Sequence, residues 1–207
     1  MVKIGVLALQ GDVEEHLRML RLCGVEAMRV RTPAEVAGVD GLIIPGGEST
    51  TVGKLMERFG VDVMVKERAA AGMPLFGTCT GMIVLSSEIV GSQQQRLGLI
   101  DLKITRNAFG RQVDSFERDL DIPEVGPEPV RAVFIRAPWI EEAGRDVEVM
   151  AELDGKGVMA RQGCVLVTAF HPELTGDQRV HQYFIRMVEE AVAAREGAGS
   201  KVVTPSG

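Results

Sequence analysis

Aromatic residues are scarce: one Trp, one Tyr and seven Phe in 207 residues. Base or sugar stacking therefore has few platforms here. Positive charge is not in excess either. Lys and Arg number 23 against 29 Asp and Glu, a net charge of -6, which is not the footprint of a nucleic-acid-binding surface. Cysteine is limited to Cys23, Cys79 and Cys164, widely spaced and odd in number. That pattern gives no disulfide framework and no C-x-x-C pair for zinc, and it fits a reducing, cytoplasmic setting. No apolar run reaches the length that spans a bilayer. Val2-Lys3-Ile4-Gly5-Val6-Leu7 reads as a strand rather than as a signal peptide. What is present is ordinary for a soluble globular protein, with 45% hydrophobic and 25% charged residues and enough chain for one α/β domain.

The first part of the chain alternates strand and helix. Lys3–Leu9 reads as a buried strand, Glu26–Val30 and Gly41–Ile44 as a second and a third strand, and Val13–Leu22 as a helix with Asp12 placed to cap it. Ser49 or Thr50 is placed to cap a helix towards Phe59, and Val61–Ala71 reads as another helix. Such alternation implies a mostly parallel twisted sheet with right-handed crossovers and helices on both faces, a three-layer α/β/α fold. From Leu99 to Arg161 short strands follow one another, with a hairpin at Asp154-Gly155. This is a short antiparallel excursion from the frame. Val165–Phe170 returns to a buried strand, and an amphipathic helix spans about Asp177–Ala194. Residues 1–195 are expected to form one domain, and 196–207, rich in Gly and Ser, a flexible tail.

Gly77-Thr78-Cys79-Thr80-Gly81 follows an apolar run and precedes a helix-like pattern. It is the cysteine counterpart of the G-x-S-x-G elbow. The glycines remove Cβ atoms that would collide in so sharp a turn. The Cys79 sulfur then stands at a helix N-terminus, whose partial positive charge favours a thiolate. The backbone N–H of Thr80 is a candidate oxyanion donor. Taken alone the pattern fits a buried structural cysteine equally well.

Of three histidines, His16 is expected to face solvent among charged neighbours, and His181 to serve helix packing or the surface. His171 follows a buried strand, is locked by Pro172, and has Glu173 two residues on. That spacing puts the carboxylate on the same side of an extended segment as the imidazole. Nucleophile, base and orienting acid would then be Cys79, His171 and Glu173. By itself, His-Pro-Glu is also compatible with a plain capped turn. Pro45-Gly46-Gly47-Glu48-Ser49-Thr50 is a third loop at the same sheet edge, and its Gly47 N–H can be a second oxyanion donor. It lacks the P-loop pattern.

Together, Pro-Gly-Gly-Glu-Ser-Thr-Thr from Pro45, Gly-Thr-Cys-Thr-Gly from Gly77, and Ala-Phe-His-Pro-Glu-Leu from Ala169, with Leu9-Gln10-Gly11-Asp12-Val13 before them, resemble a class I, triad-type glutamine amidotransferase. More narrowly, the chain is similar to the glutaminase-subunit family of pyridoxal 5'-phosphate synthase, over nearly all its length apart from the tail. Thr80 departs from the alanine expected after the nucleophile. The resemblance implies a flavodoxin-like frame and hydrolysis of L-glutamine to L-glutamate and ammonia through a Cys79 thioester. It implies substrate contacts at Gly47, Glu48, Ser49, Arg106, Ile135 and Arg136. Arg106 and Arg136 suit a carboxylate, although on the residues alone both read equally as surface charges. The implied partner is a synthase subunit that takes the ammonia, within a large hetero-oligomer. Gln10 and Gly11 are candidates for coupling its docking to the oxyanion site. No metal or cofactor is expected, since a thiolate suffices, and neither nucleic acid nor membrane is an expected partner. Alternatives are a catalytically silent scaffold and a cysteine hydrolase or glutaminase serving another pathway.

Overall fold

The computed structural model describes residues 1–108 and 115–199, with side chains described through residue 197. In chain order the first elements are β1 (Lys3–Leu7), α1 (Val13–Leu22), β2 (Glu26–Val30), α2 (Pro33–Ala37), β3 (Gly41–Ile44), α3 (Ser49–Arg58), α4 (Val61–Ala70), β4 (Leu75–Thr78) and α5 (Thr80–Leu85). The next are β5 (Ser86–Ile89), β6 (Ile100–Thr105), β7 (Ser115–Leu120), β8 (Val130–Ile135), β9 (Trp139–Ala143) and β10 (Glu148–Leu153). The chain continues through β11 (Lys156–Gln162), β12 (Val165–Thr168), a 3-10 turn (Pro172–Leu174) and α6 (Arg179–Gly199).

The main sheet runs β2-β1-β3-β4-β12-β11-β9-β6-β5, with β10 paired on β11. From β2 to β12 every pairing is parallel, as the strand-helix alternation requires. β11 and β9 then run antiparallel to their neighbours. The excursion therefore extends the main sheet, while β7 and β8 form a separate two-stranded ribbon. β3, β4 and β12 are buried along their whole lengths, which explains their unbroken apolar sequence. Phe76 of β4 meets Phe184 of α6 and the ring of His16 on α1, placing α1 and α6 on one face. A side chain at Gly77 would meet Leu85 of α5, so α5 covers the other.

Several local expectations are corrected. Asp12 occupies the N-cap position of α1, but its side chain makes no cap bond. Glu48, not Ser49 or Thr50, caps α3, accepting from the N–H groups of Thr50 and Thr51. The helix after Cys79 is only six residues long, and β5 starts directly at its end. The strand read over Val113–Arg118 begins, within the described residues, at Ser115. α6 takes in 196–199, and residues 200–207 lie outside the described part of the chain. At Asp154-Gly155 both residues have positive φ, the conformation a two-residue hairpin requires.

Candidate active site

Strand register brings the site together. β4 and β12 pair in parallel with Thr78 opposite Thr168, so Cys79 and the segment leading to His171 leave the sheet at one edge. The Cys79 N–H donates to the Thr168 carbonyl at 2.8 Å, and the His171 N–H to Val133 of β8 at 2.8 Å. Cys79 has φ 47°, a left-handed conformation that costs a non-glycine residue of order 1–3 kcal/mol and collects at functional turns. The turn closes because its flanks are glycine. A Cβ at Gly81 would lie 2.1 Å from the Ile44 carbonyl oxygen, and one at Gly77 would lie 2.5 Å from the Gly81 backbone.

His171 Nδ1 is 2.8 Å from Glu173 Oε1 and 3.3 Å from Asp12 Oδ2. Glu173 is fully buried and His171 nearly so. Burial lowers the affinity of the ring for a proton. Hydrogen bonds with Asp12, Cys79 and Glu173 outweigh it and raise the His171 pKa far above the ordinary imidazole range. Burial also raises Glu173 above the ordinary carboxyl range, against the bond and charge of His171. The two shifts have different causes: neighbouring acceptors favour the charged ring, whereas loss of solvent disfavours the charged carboxylate. With Nδ1 engaged by the carboxylates, Nε2 is left for the Cys79 thiol. Gly46 lets this ring sit close, since a Cβ there would lie 2.4 Å from His171 Cε1.

A cleft of about 400 Å³ opens over the sulfur, at the small end of ligand sites. It is lined by Gln10, Gly47, Glu48, Ser49, Thr80, Arg106, Ile135 and Arg136 together with Cys79 and His171. The residues singled out from sequence thus converge on one hollow, with two exceptions: Glu173 lies beneath it against His171, and Gly11 lies on the neighbouring concavity formed with Arg29 and Arg31. The Ile135 carbonyl is 3.8 Å from the Cys79 sulfur. Arg106 donates to Ser49 Oγ at 3.3 Å and to Gln94 Oε1. Arg136 is exposed, with φ 43°. Glu48 is committed to its cap, and bonds from the Thr50 and Thr51 hydroxyls come first among the causes that hold its carboxyl at about 2.

The loop at Gly47 is held by two side chains. Thr80 Oγ1–H donates to the Gly47 carbonyl at 2.5 Å, and the Glu48 N–H donates to Gln10 Oε1 at 2.6 Å. Both polar ends of the Gly47–Glu48 peptide are therefore engaged. Sequence reasoning missed Asp12, which had been assigned to a helix cap, and Asn107, which also lines the cleft. The polar turn at Gln10-Gly11-Asp12 was the signal available for Asp12. Among the described residues, Asp12, His171 and Glu173 offer ligand-type atoms within 4.8 Å of one another. Their mutual bonds already engage the ring nitrogen.

The expectation for His16 is overturned. It is fully buried, as is His181. The charged neighbours lie on the outer face of α1, whereas His16 lies on the face that carries Leu17 and Leu20 inward. No helix among the described residues is long and apolar enough to cross a membrane.

This geometry has relatives. A protein of Carboxydothermus hydrogenoformans named pyridoxal 5'-phosphate synthase subunit PdxT is 58% identical over 187 residues, covering 90% of this chain and 98% of its own. One of the same name from Pelotomaculum thermopropionicum is 58% identical over 184 residues, covering 89% and 94%. A crystal structure described as a glutamine amidotransferase superposes with TM-score 0.86 at 49% identity, covering 90% of this chain and 98% of that one. PurLQS from Thermotoga maritima shares the fold at TM-score 0.63 and 15% identity, covering 90% and 99%. Residues 6–190 match the model of the SNO glutamine amidotransferase family, and the chain belongs to that family.

Proposed function

We propose that the protein is a glutaminase that hydrolyses L-glutamine to L-glutamate and ammonia, and that it serves as the ammonia-supplying subunit of a pyridoxal 5'-phosphate synthase. The single observation that carries the chemistry is the meeting, in one cleft, of a cysteine at a strained elbow with a histidine braced by a buried carboxylate. Cys79 gives its proton to His171, whose raised proton affinity favours the resulting thiolate–imidazolium pair, and the thiolate attacks the carboxamide carbon. The tetrahedral oxyanion is met by backbone N–H groups at Thr80 and Gly47. His171 then protonates the leaving nitrogen, a C–N bond breaks, and ammonia departs from a glutamyl thioester. Water, deprotonated by His171, adds to the thioester and releases glutamate and the thiol. Arg106 and Arg136, which line the cleft, suit the α-carboxylate of the substrate, with Ser49 and Ile135 beside them.

The names of the relatives support a synthase subunit as partner. Free ammonia is mostly protonated in neutral water and then is no nucleophile, so direct transfer to the partner follows from the chemistry. Gln10, which lines the cleft and accepts from the Glu48 N–H, would couple docking to the site, with Gly11 beside it. The test is Cys79→Ala in the two-subunit complex. Synthesis from glutamine should be lost while synthesis from ammonium salts persists. Retained glutamine-dependent synthesis would refute the assignment.

A further inference from the structure

Behind the cleft lies a second polar cluster that the steps above do not use. His16 Nδ1 is 3.0 Å from His181 Nε2, and His16 Nε2 is 3.1 Å from Thr78 Oγ1. The same His16 Nε2 is 3.4 Å from Glu173 Oε2. Four elements meet here: α1, α6, the end of β4 one residue before Cys79, and the 3-10 turn that carries Glu173. All four side chains belong to fully buried residues, and the edges of the Phe76 ring system close the apolar side. Two buried imidazoles in an apolar core are costly unless their protons are placed.

The placement can be worked out. Among the described residues, Glu173 Oε2 and His181 Nδ1 have no hydrogen bond of good geometry. Suppose His16 carries its proton on Nδ1. His16 Nε2 then accepts from the Thr78 hydroxyl while its lone pair faces Glu173 Oε2 at 3.4 Å, and His181 is left with a buried, unpaired Nδ1–H. Both are faults. Suppose instead the proton is on Nε2. A donor then points at Thr78 Oγ1 and Glu173 Oε2, His16 Nδ1 accepts from His181 Nε2–H, and only a bare acceptor is left over. The second arrangement removes both faults. Burial, with the neighbouring His181 and His171, lowers the His16 pKa well below 6.5, and burial brings His181 to about 4. Both rings are neutral at pH 7, so the cluster brings an oriented dipole, not a charge, to the carboxylate.

We infer that His16, its tautomer fixed by His181, is a positioning residue for the glutaminase reaction: it holds the far oxygen of Glu173 so that the near oxygen keeps the His171 ring aligned with Cys79. The inference rests on the glutaminase reading, and it extends the three-residue unit inward to five. It gives His16 no contact with substrate.

The test uses the complete two-subunit complex and compares His16→Leu with His16→Gln, whose amide nitrogen takes the place of the ring Nε2. For His16→Leu, kcat for glutamate release should fall about tenfold or more with KM within about twofold, the pattern of a lost contact that matters in the transition state. His16→Gln should restore most of the rate. The second readout is the downfield imidazole N–H proton resonance of the His171–Glu173 pair, which reports the bond whatever the substrate. It should shift in His16→Leu and return in His16→Gln. A folded His16→Leu with the wild-type kcat and an unmoved resonance would overturn the inference. So would loss of rate with an unmoved resonance, which is mere packing damage. If His16→Leu does not fold, His181→Phe against His181→Gln decides: the same resonance should move in the first and be restored in the second, and an unmoved signal in both would overturn it. Wild-type complex that releases no glutamate would instead refute the glutaminase reading, leaving the resonance comparison intact.

Discussion

Replacing Glu173 with Gln tests how much the buried carboxylate contributes. The change keeps the shape of the side chain and removes its charge. In the structure Glu173 Oε1 sits 2.8 Å from His171 Nδ1 with no exposure to solvent. A hydrogen bond to a charged group is worth about 1.5–3 kcal/mol. The lower half of that range applies, because Asp12 Oδ2 stands 3.3 Å from the same nitrogen and supplies a second, half-exposed carboxylate. A loss of about 2 kcal/mol corresponds to roughly a 30-fold fall in kcat. Asp12→Asn, on the more exposed partner, should cost only about 0.5–1 kcal/mol, or about two- to fivefold. In the double variant neither carboxylate orients the ring, so the combined loss should exceed the sum by about 1 kcal/mol. Steady-state glutamate release by the two-subunit complex, with all four proteins checked for equal assembly, gives the cycle. Equal activity of Glu173→Gln and wild type would refute the reasoning, as would a larger loss from Asp12→Asn than from Glu173→Gln.

Two further outcomes follow from the Gly47 loop. Thr80→Ala removes the hydroxyl that holds the Gly47 carbonyl, a bond worth about 1 kcal/mol net. Freed of that bond, the loop presents the Gly47 N–H to the oxyanion more readily, and kcat should rise, by up to about fivefold. A fall of that size at unchanged KM would show that the hydroxyl assists the reaction instead. Glu48 caps α3 with its carboxyl held at about 2 against an ordinary 4.5. Its stabilisation is therefore fully present above about pH 5 and is lost as pH falls towards 2. For an exposed cap the contribution is about 1 kcal/mol, so Glu48→Ala should lower Tm by about 2–4 °C at pH 7. The gap should close in acid, and a gap that stayed constant to pH 2.5 would contradict the assignment.

The frame was legible in the sequence because burial on both faces leaves a plain signature. β3, β4 and β12 are continuous apolar runs ending at glycine-rich or polar loops, and those loops became the site. β5 and β9 were not legible. Ser86–Ile89 follows α5 without a turn residue, and Trp139–Ala143 carries Glu141 and Glu142 on an exposed stretch, so neither shows a strand period. Cys79, His171 and Glu173 could be found because each lies in a short motif tied to a strand end. His16 and Asp12 could not, for different reasons. A histidine among Glu and Arg looks solvated unless the helix phase is followed to Leu17 and Leu20. An Asp before a helix looks like a cap, and only tertiary contact shows that its carboxylate turns to His171 instead.

Covalent catalysis at the Cys79 sulfur is the central claim. Rapid acid quench of the two-subunit complex turning over isotopically labelled glutamine, followed by mass analysis of the peptide that carries residue 79, tests it most directly. The expected result is a glutamyl adduct on Cys79 that forms within the first turnover and disappears when glutamine is exhausted. Steady release of glutamate with no label on that peptide at any quench time, or label on another residue, would contradict it.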